Sequence, residues 1–324
     1  MKEIALLTSG GDAPGLNACI RAIVRAAAYY EINILGIKGG YEGMIEGDFV
    51  AMNSSSVSNI IHLGGTILKS SRSERFKTKE GRKTAHEQLK KRGIDTLILI
   101  GGDGSCKGGG IFSNEYSDIS IIAIPKTIDN DVFGTDYSIG HDTAVNTAMQ
   151  AVDKIRDTAE SHNRVFIIEV MGRDAGYIAY GAGIATGAEG ILIPETTADL
   201  AYLKKSFDNG WSRDKSSLII IVAEGDESGG GMQAAEKLKK MMPEKEIKVS
   251  VLGYIQRGGS PTSFDRILAA KFGVAAIELL LKGKNNIMVG MHKDNIITTP
   301  INKVKRKSMD VNQEALTFLK ILTS

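Results

Sequence analysis

Asp103, Asp129 and Asp131, with Lys126 and the arginines Arg72, Arg164, Arg173 and Arg257, are the side chains whose types and placement suit phosphate chemistry. Asp129 and Asp131 stand two apart after Pro125-Lys126-Thr127. In extended backbone, residues i and i+2 point the same way, so the two carboxylates could share a site, one activating a hydroxyl and the other orienting it. An Asx-rich turn after a strand is the plainer alternative. Lys126 either neutralises a phosphate there or is simply exposed. Asp103 lies in Gly101-Gly102-Asp103-Gly104-Ser105, a backbone cradle containing a carboxylate. Magnesium carried on phosphates needs only one or two protein carboxylates, because water and phosphate oxygens fill the other positions; the alternative is an Asp that caps the following helix. Guanidinium groups bind phosphate through a bidentate fork, and phosphoryl transfer needs positive charge where the equatorial oxygens develop theirs. Each arginine alone could be a surface ion pair; as a set beside glycine cradles and an acidic loop they favour an anionic ligand.

These residues need strands that end in loops. The run Ile4–Leu7 leads into Gly10-Gly11-Asp12 and Gly15, followed by Ile20, Ile23, Val24 and Ala27 at helical spacing. That order of strand, glycine loop and helix makes an anion site from loop N–H groups and the helix dipole. The loop matches neither the dinucleotide fingerprint nor the Walker A pattern. Apolar runs at 94–100, 119–124, 165–170, 218–222 and 249–252 end in the other candidate loops, and 144–158 and 264–281 read as helices. Continuous apolar strands suit a mostly parallel sheet covered on both faces, whose ligands bind at the C-terminal strand ends. Arg21 and Arg25, four apart on one helix face, form either a salt-bridged surface or a second anionic site.

A length of 324 residues corresponds to about two domains at ~150 residues each. A boundary is expected near Ser138. The 37 glycines fall in clusters at the ends of apolar runs rather than in a repeat. The formal net charge of +2 gives no global field for nucleic acid. The basic stretch Arg72–Arg92, whose one Phe, Tyr or Trp is Phe76, has no regular aromatic interleaving and reads as a solvated helix face or a small-anion site. Cys19 and Cys106 have no CxxC spacing, which favours a reducing compartment, and the N-terminal sequence lacks the pattern of a signal peptide. A cytoplasmic protein that engages neither membrane nor nucleic acid is expected. The histidines show no zinc spacing, and G-x-S-x-G is missing.

The segments LTSGGDAPGLNACIRAIVR (7–25), GGTILKSSR (64–72), GGDGS (101–105), PKTIDND (125–131), SHNR (161–164), EVMGRDAG (169–176) and LGYIQRGGSP (252–261) closely resemble the bacterial ATP-dependent 6-phosphofructokinase family over the whole chain. The resemblance implies two similar three-layer α/β lobes with an active site in the cleft between them. The expected division is 1–138 plus 252–305 for a larger nucleotide-binding lobe and 139–251 plus 306–324 for a smaller sugar-phosphate lobe. It also implies a homotetrameric kinase of glycolysis that moves the ATP γ-phosphoryl group to the 1-hydroxyl of fructose 6-phosphate, with Mg2+. Asp129 would be the base, with Thr127 and Asp131 beside it, and Arg173 would stabilise the moving group. Gly11, Arg72, Ser73, Gly102, Asp103, Gly104, Ser105, Lys107 and Gly108 would surround ATP, Asp103 on the metal side. Thr127, Asp129, Met171, Gly172, Arg173, Glu224, Tyr254 and Arg257 would hold the sugar phosphate, with Arg164 and Lys248 arriving from a neighbouring subunit. Arg21, Arg25, Arg156, Glu189, Arg213 and Lys215 resemble a pocket for ADP or phosphoenolpyruvate.

Some positions depart from the family pattern. Lys126 stands where the common ATP enzymes have glycine, and lysine there is shared with pyrophosphate-dependent relatives. Gly104 stands where those relatives usually have Asp, whose carboxylate would crowd and repel a nucleotide α-phosphate. ATP is therefore the expected donor, with a pyrophosphate-dependent enzyme and a non-catalytic nucleotide sensor as the alternatives. Lys248 and Tyr254 replace an expected arginine and histidine near the sugar phosphate, and Ser54 replaces a cation of the effector pocket.

Overall fold

Alternate residues of the apolar runs face opposite sides of parallel sheets, so both faces are dry. The computed structural model describes residues 3–161, 164–197, 204, 217–227, 229–311, 317–318 and 321–322. The strands are β1 (Glu3–Thr8), β2 (Asn33–Ile37), β3 (Phe49–Met52), β4 (Thr96–Gly101), β5 (Ser120–Pro125), β6 (Val165–Val170), β7 (Gly190–Leu192), β8 (Leu218–Ala223), β9 (Ile247–Val251), β10 (Ile287–His292) and β11 (Asn295–Pro300). The helices are α1 (Leu16–Tyr29), α2 (Gly40–Glu46), α3 (Lys79–Lys90), α4 (Asp103–Glu115), α5 (His141–Glu160), α6 (Tyr177–Ala185), α7 (Gly230–Met241) and α8 (Ser263–Leu281). Two compact units divide the chain: Met1–Thr143 with Arg257–Arg306, and Ala144–Gln256 with Lys307–Ser324.

The first unit holds a seven-stranded sheet in the order β11-β10-β5-β4-β1-β2-β3. Its inner strands run parallel, and β3 and β11 close the edges antiparallel. Ile4, Leu6, Ile98, Ile100, Ile122 and Ile124 pack against α1 and α8 through Ile20, Ile23 and Phe272. The alternate set Ala5, Leu7, Leu97, Leu99, Ile121 and Ala123 packs on the other face with Met44, Ile45 and Phe112. Each large buried side chain contributes about 1.5–3 kcal/mol, an upper figure because the unfolded chain already hides part of that surface.

The second unit holds a parallel sheet in the order β7-β8-β6-β9. Val165, Ile167, Ile220 and Val222 bury one of its faces against Ala234 and Leu238 of α7. Among the described residues no helix is long and apolar enough to cross a membrane.

The start of α5 follows the loop that carries Asp129 and Asp131, and α8 holds it. The fully buried Asp265 accepts from the Gly140 and Thr143 N–H groups, both at 2.8 Å, and from the Thr143 hydroxyl at 2.5 Å. Thr262 caps α8 by accepting from Asp265 N and donates its own hydroxyl to Asp142 at 2.5 Å. Each helix start thus satisfies donors of the other that would otherwise be orphaned. Burial raises the Asp265 carboxyl above its ordinary range, against the hydrogen bonds that favour its charge. Replacing Asp265 with Ala leaves these donors unpaired in a dry site. Chemical denaturation is expected to show a loss of about 2–3 kcal/mol, and a change within experimental error would refute this cap.

Candidate active site

In the first unit, β1, β4 and β5 end side by side, and the loops that follow them meet. Ser9 N donates to Ile100 O at 2.9 Å, and the Ser105 hydroxyl donates to the Ser9 hydroxyl at 2.9 Å. Ser70 Oγ donates to Gly10 O at 2.6 Å. Beneath this loop lies Lys126, 3% exposed, whose Nζ donates to Ser9 O at 3.3 Å and to Gly11 O. Lys126 is therefore no surface lysine: its ammonium gathers the Ser9 and Gly11 carbonyls of the first glycine loop. Burial pushes it down to about 8; Arg257 acts in the same direction, and Asp12 and Asp129 oppose it. A side chain at Gly11 would meet Arg257 Nη1 at 2.7 Å, and Arg257 also donates to Asp12 O at 3.3 Å.

The second cradle opens α4, whose first residue is Asp103 and whose cap is Gly102. A Cβ at Gly104 would meet nothing within 4 Å, so the backbone there faces open space. Ser105 is held from behind, because Tyr41 Oη donates to its carbonyl at 2.7 Å. The Tyr41 ring stacks on Phe76 with centroids 3.9 Å apart, and Gly108 lies against both rings. These aromatic supports escaped the sequence reading because Tyr41 sits in a short helix without a distinguishing motif. The thiol of Cys106 is pushed up to about 12, chiefly by burial, and is not a nucleophile.

The segment from Thr127 to Asp131 corrects an expectation. The backbone there is a turn rather than extended, with Asn130 at φ 52°, so the i, i+2 rule does not align the two carboxylates. Asn130 holds the turn by donating to Asp136 O at 2.9 Å and accepting from Ser138 N at 2.8 Å. Asp129 N donates to Thr127 Oγ1 at 3.2 Å, and His141 Nδ1 donates to Ile128 O at 2.7 Å. Asp129 and Asp131 are both buried. Arg306, which the sequence reading missed, brings its Nε within 3.3 Å of Asp131 Oδ2 and 3.7 Å of Asp103 Oδ2. Pairing between Val132 and Arg306, and donation from Phe133 N to Lys305 O at 2.9 Å, fix it there. Burial raises the Asp131 carboxyl above its ordinary range, Asp103 adds to the rise, and Arg306 opposes it.

In the second unit, the loops after β6 and β8 interlock. Arg173 N donates to Glu224 Oε1 at 2.9 Å, and Glu224 N donates to Val170 O at 2.9 Å. Arg173 has φ 53°, an uncommon conformation for a side-chain-bearing residue, and its side chain is exposed. Gly172 has φ 144°, which a side chain would strain. Met171 N donates to Gln256 Oε1 at 3.3 Å. Arg164 and Lys248 meet on one carboxylate: Arg164 Nε lies 2.7 Å from Glu246 Oε2 and Lys248 Nζ 2.8 Å from Glu246 Oε1.

The remaining expected residues are more scattered. Arg72 and Lys107 are exposed, Ser73 donates to Glu42, and Tyr254 is 82% exposed. Arg21 and Arg25 lie one turn apart on α1. Arg156 donates to Thr186 O at 2.9 Å at the end of α6 and lies 3.5 Å from Glu189. Arg213 and Lys215 lie outside the described residues.

A family model described as phosphofructokinase matches residues 3–280. The chain is 48% identical over 323 residues to an ATP-dependent 6-phosphofructokinase 2 of Bacteroides thetaiotaomicron, covering 100% of this chain and 99% of that one. It is 50% identical over 304 residues to an ATP-dependent 6-phosphofructokinase of Oceanobacillus iheyensis, covering 94% of each. Among solved structures, phosphofructokinase from Saccharomyces cerevisiae matches with TM-score 0.88 and 34% identity, over 99% of this chain and 46% of that chain. A pyrophosphate-dependent phosphofructokinase from Marinobacter aquaeolei matches with TM-score 0.83, 23% identity and coverage of 100% and 92%, a likeness of fold.

Lys126 yields a pH prediction. Its folded pKa of about 8 lies below the ordinary 10.5, so between those values the unfolded chain binds the proton that the folded chain has lost. Stability supplied by this group is complete above pH 10.5 and is lost as pH falls through 8. Relative to Lys126→Met, the wild type is expected to gain about 3 kcal/mol between those pH values. Parallel denaturation profiles of the two proteins would refute the assignment.

Proposed function

Because the chain belongs to the phosphofructokinase family, we propose that it transfers the γ-phosphoryl group of ATP to the 1-hydroxyl of fructose 6-phosphate, giving fructose 1,6-bisphosphate and ADP in glycolysis. The observation that carries the choice of donor is the open space at Gly104, at the start of α4 beside Asp103. A helix N-terminus with free N–H groups suits phosphate, and the missing side chain leaves room for the rest of a nucleotide. Lys126, the residue that pointed toward pyrophosphate, spends its ammonium on Ser9 O and Gly11 O. On this reading it shapes the donor loop.

Asp129 is the base that takes the proton of the 1-hydroxyl, supported by its burial and by the turn that Thr127 and Asn130 fix. Asp131 accompanies it, and Arg173 on the second unit balances the charge of the phosphoryl group in flight. Gly11, Arg72, Ser73, Gly102, Asp103, Gly104, Ser105, Lys107 and Gly108 line the path of ATP. The carboxylate of Asp103, at the start of α4, offers the hard oxygen donors that suit Mg2+ carried on phosphates. Among the described residues no three His, Cys, Asp or Glu side chains converge on a metal position. Asp103 would hold the Mg2+, and when bound it neutralises phosphate charge.

Met171, Gly172, Glu224, Tyr254 and Arg257 recognise the sugar phosphate, joined by Arg164 and Lys248 of a neighbouring subunit in a homotetramer. The first unit is then the nucleotide-binding lobe and the second the sugar-phosphate lobe. ADP or phosphoenolpyruvate would act as effectors, with Arg21, Arg25, Arg156, Glu189, Arg213 and Lys215 as the candidate residues. A cytoplasmic location completes the reading.

Initial rates with magnesium and matched concentrations of ATP or pyrophosphate are expected to show turnover with ATP alone; pyrophosphate-only turnover would overturn the donor assignment. Asp129→Ser is expected to lower kcat by about a thousand-fold, with binding of fructose 6-phosphate changed far less. Equal losses in turnover and binding would remove Asp129 as the base.

A further inference from the structure

Glu246 is an acid placed among the cations meant for the substrate. Its position follows from the backbone. In the parallel pairing of β6 with β9, Val165 lies opposite Ile247 and Phe166 opposite Lys248, and Val165 N donates to Glu246 O at 3.1 Å. Arg164 and Glu246 therefore start adjacent strands side by side. Residues two apart on a strand share a face, so Glu246 and Lys248 project together, on the side of Phe166 and Arg164. Arg164 reaches Oε2 at 2.7 Å and Lys248 reaches Oε1 at 2.8 Å, one carboxylate oxygen for each cation.

Structural support is a weak reason for this arrangement. The side chains of Arg164, Glu246 and Lys248 are 28%, 48% and 49% exposed, and ion pairs so placed add little to stability. A phosphate needs the same hydrogen bonds from the same two cations that Glu246 accepts. We propose that the Glu246 carboxylate is an internal anion that occupies Arg164 and Lys248 in the absence of substrate and is exchanged for the phosphate of fructose 6-phosphate, so that it sets the affinity of that subsite. The proposal rests on the assignment of Arg164 and Lys248 to the sugar phosphate made above.

Hydrogen bonds from Lys248 and Arg164 bring the Glu246 carboxyl down to about 2. It stays ionised at any working pH, so it acts as a constant competitor rather than a pH switch. The pair of cations carries one charge more than Glu246 cancels, which leaves the subsite attractive to a dianion. Substrate binding then exchanges one set of charge-assisted bonds for another, and its net affinity is the difference between them.

The test is Glu246→Gln in the full-length protein, which keeps shape and removes charge. The KM for fructose 6-phosphate and the inhibition constant of sulfate competing with it are expected to fall together, by roughly three- to ten-fold, as the loss of two exposed ion pairs allows. The change should fall on KM rather than on kcat. A gain in affinity is not what misfolding produces, so the expected outcome separates exchange from structural damage. An unchanged or raised KM overturns the proposal. Arg164→Gln and Lys248→Met, measured alongside, should each raise KM several-fold. If neither does, the sugar-phosphate assignment itself is wrong, a failure distinct from the absence of exchange.

Discussion

Covering a parallel sheet on both faces leaves its C-terminal edge as the place where backbone polarity must be satisfied by something other than the ladder. In the first unit that edge is organised by one buried cation. Lys126 takes the carbonyls of Ser9 and Gly11, and its own N–H bonds to Gly101 O at 3.0 Å, so the ends of β1, β4 and β5 are joined around it. Desolvating an ammonium costs free energy, which is why its pKa falls. The carbonyls it gathers would otherwise compete with any phosphate for the same space. Pulled toward Lys126, the Ser9 and Gly11 carbonyls are satisfied within the unit.

Continuous hydrophobicity made six of the strands legible in the sequence. Strands β1, β4, β5, β6 and β8, interior to their sheets, and the edge strand β9 lie where the apolar runs are, within a few residues at each end. The interior strands β2 and β10 and the edge strands β3, β7 and β11 were not found. β3 and β11 are partly exposed, so their patterns are diluted, and the β10–β11 turn uses Lys293 and Asp294 at φ 47° and 65° instead of the Asn-Gly pair that announces a hairpin. The motif residues were legible as a set, because glycine cradles, carboxylates and arginines recur at strand ends. Their geometry was less so. For the Thr127–Asp131 segment the pattern left extended backbone and an Asx-rich turn both open; it is a turn, in which Asn130 takes the left-handed conformation that its amide stabilises through Asp136 and Ser138.

Arg306 shows why some of the site could not be read. It stands far along the chain from Asp103 and Asp131, in a basic stretch without glycine or strand signals. Only the pairing of its backbone with Val132 brings it to the acids. The burial of Asp131 makes such a partner necessary, since a carboxylate nearly removed from water and close to Asp103 would otherwise hold its proton too strongly. The sequence carries the need for a compensating cation without identifying it.

Two charge arrangements in the chain are inverses of each other. In the first unit two acids face one arginine, and in the second two cations face one glutamate. A phosphoryl-transfer enzyme requires both kinds of pair, acids for a cation and cations for phosphate, and neither can be left uncompensated without repulsion between like charges. A single opposite charge placed between the members of each pair holds them at close range in the free protein. It also leaves each pair with one residual charge, negative on the first unit and positive on the second. On the proposed assignments, ligand binding is charge replacement at positions already organised, which reduces the ordering of long side chains that would otherwise oppose association. The small formal charge of +2 on the whole chain is consistent with this local balancing.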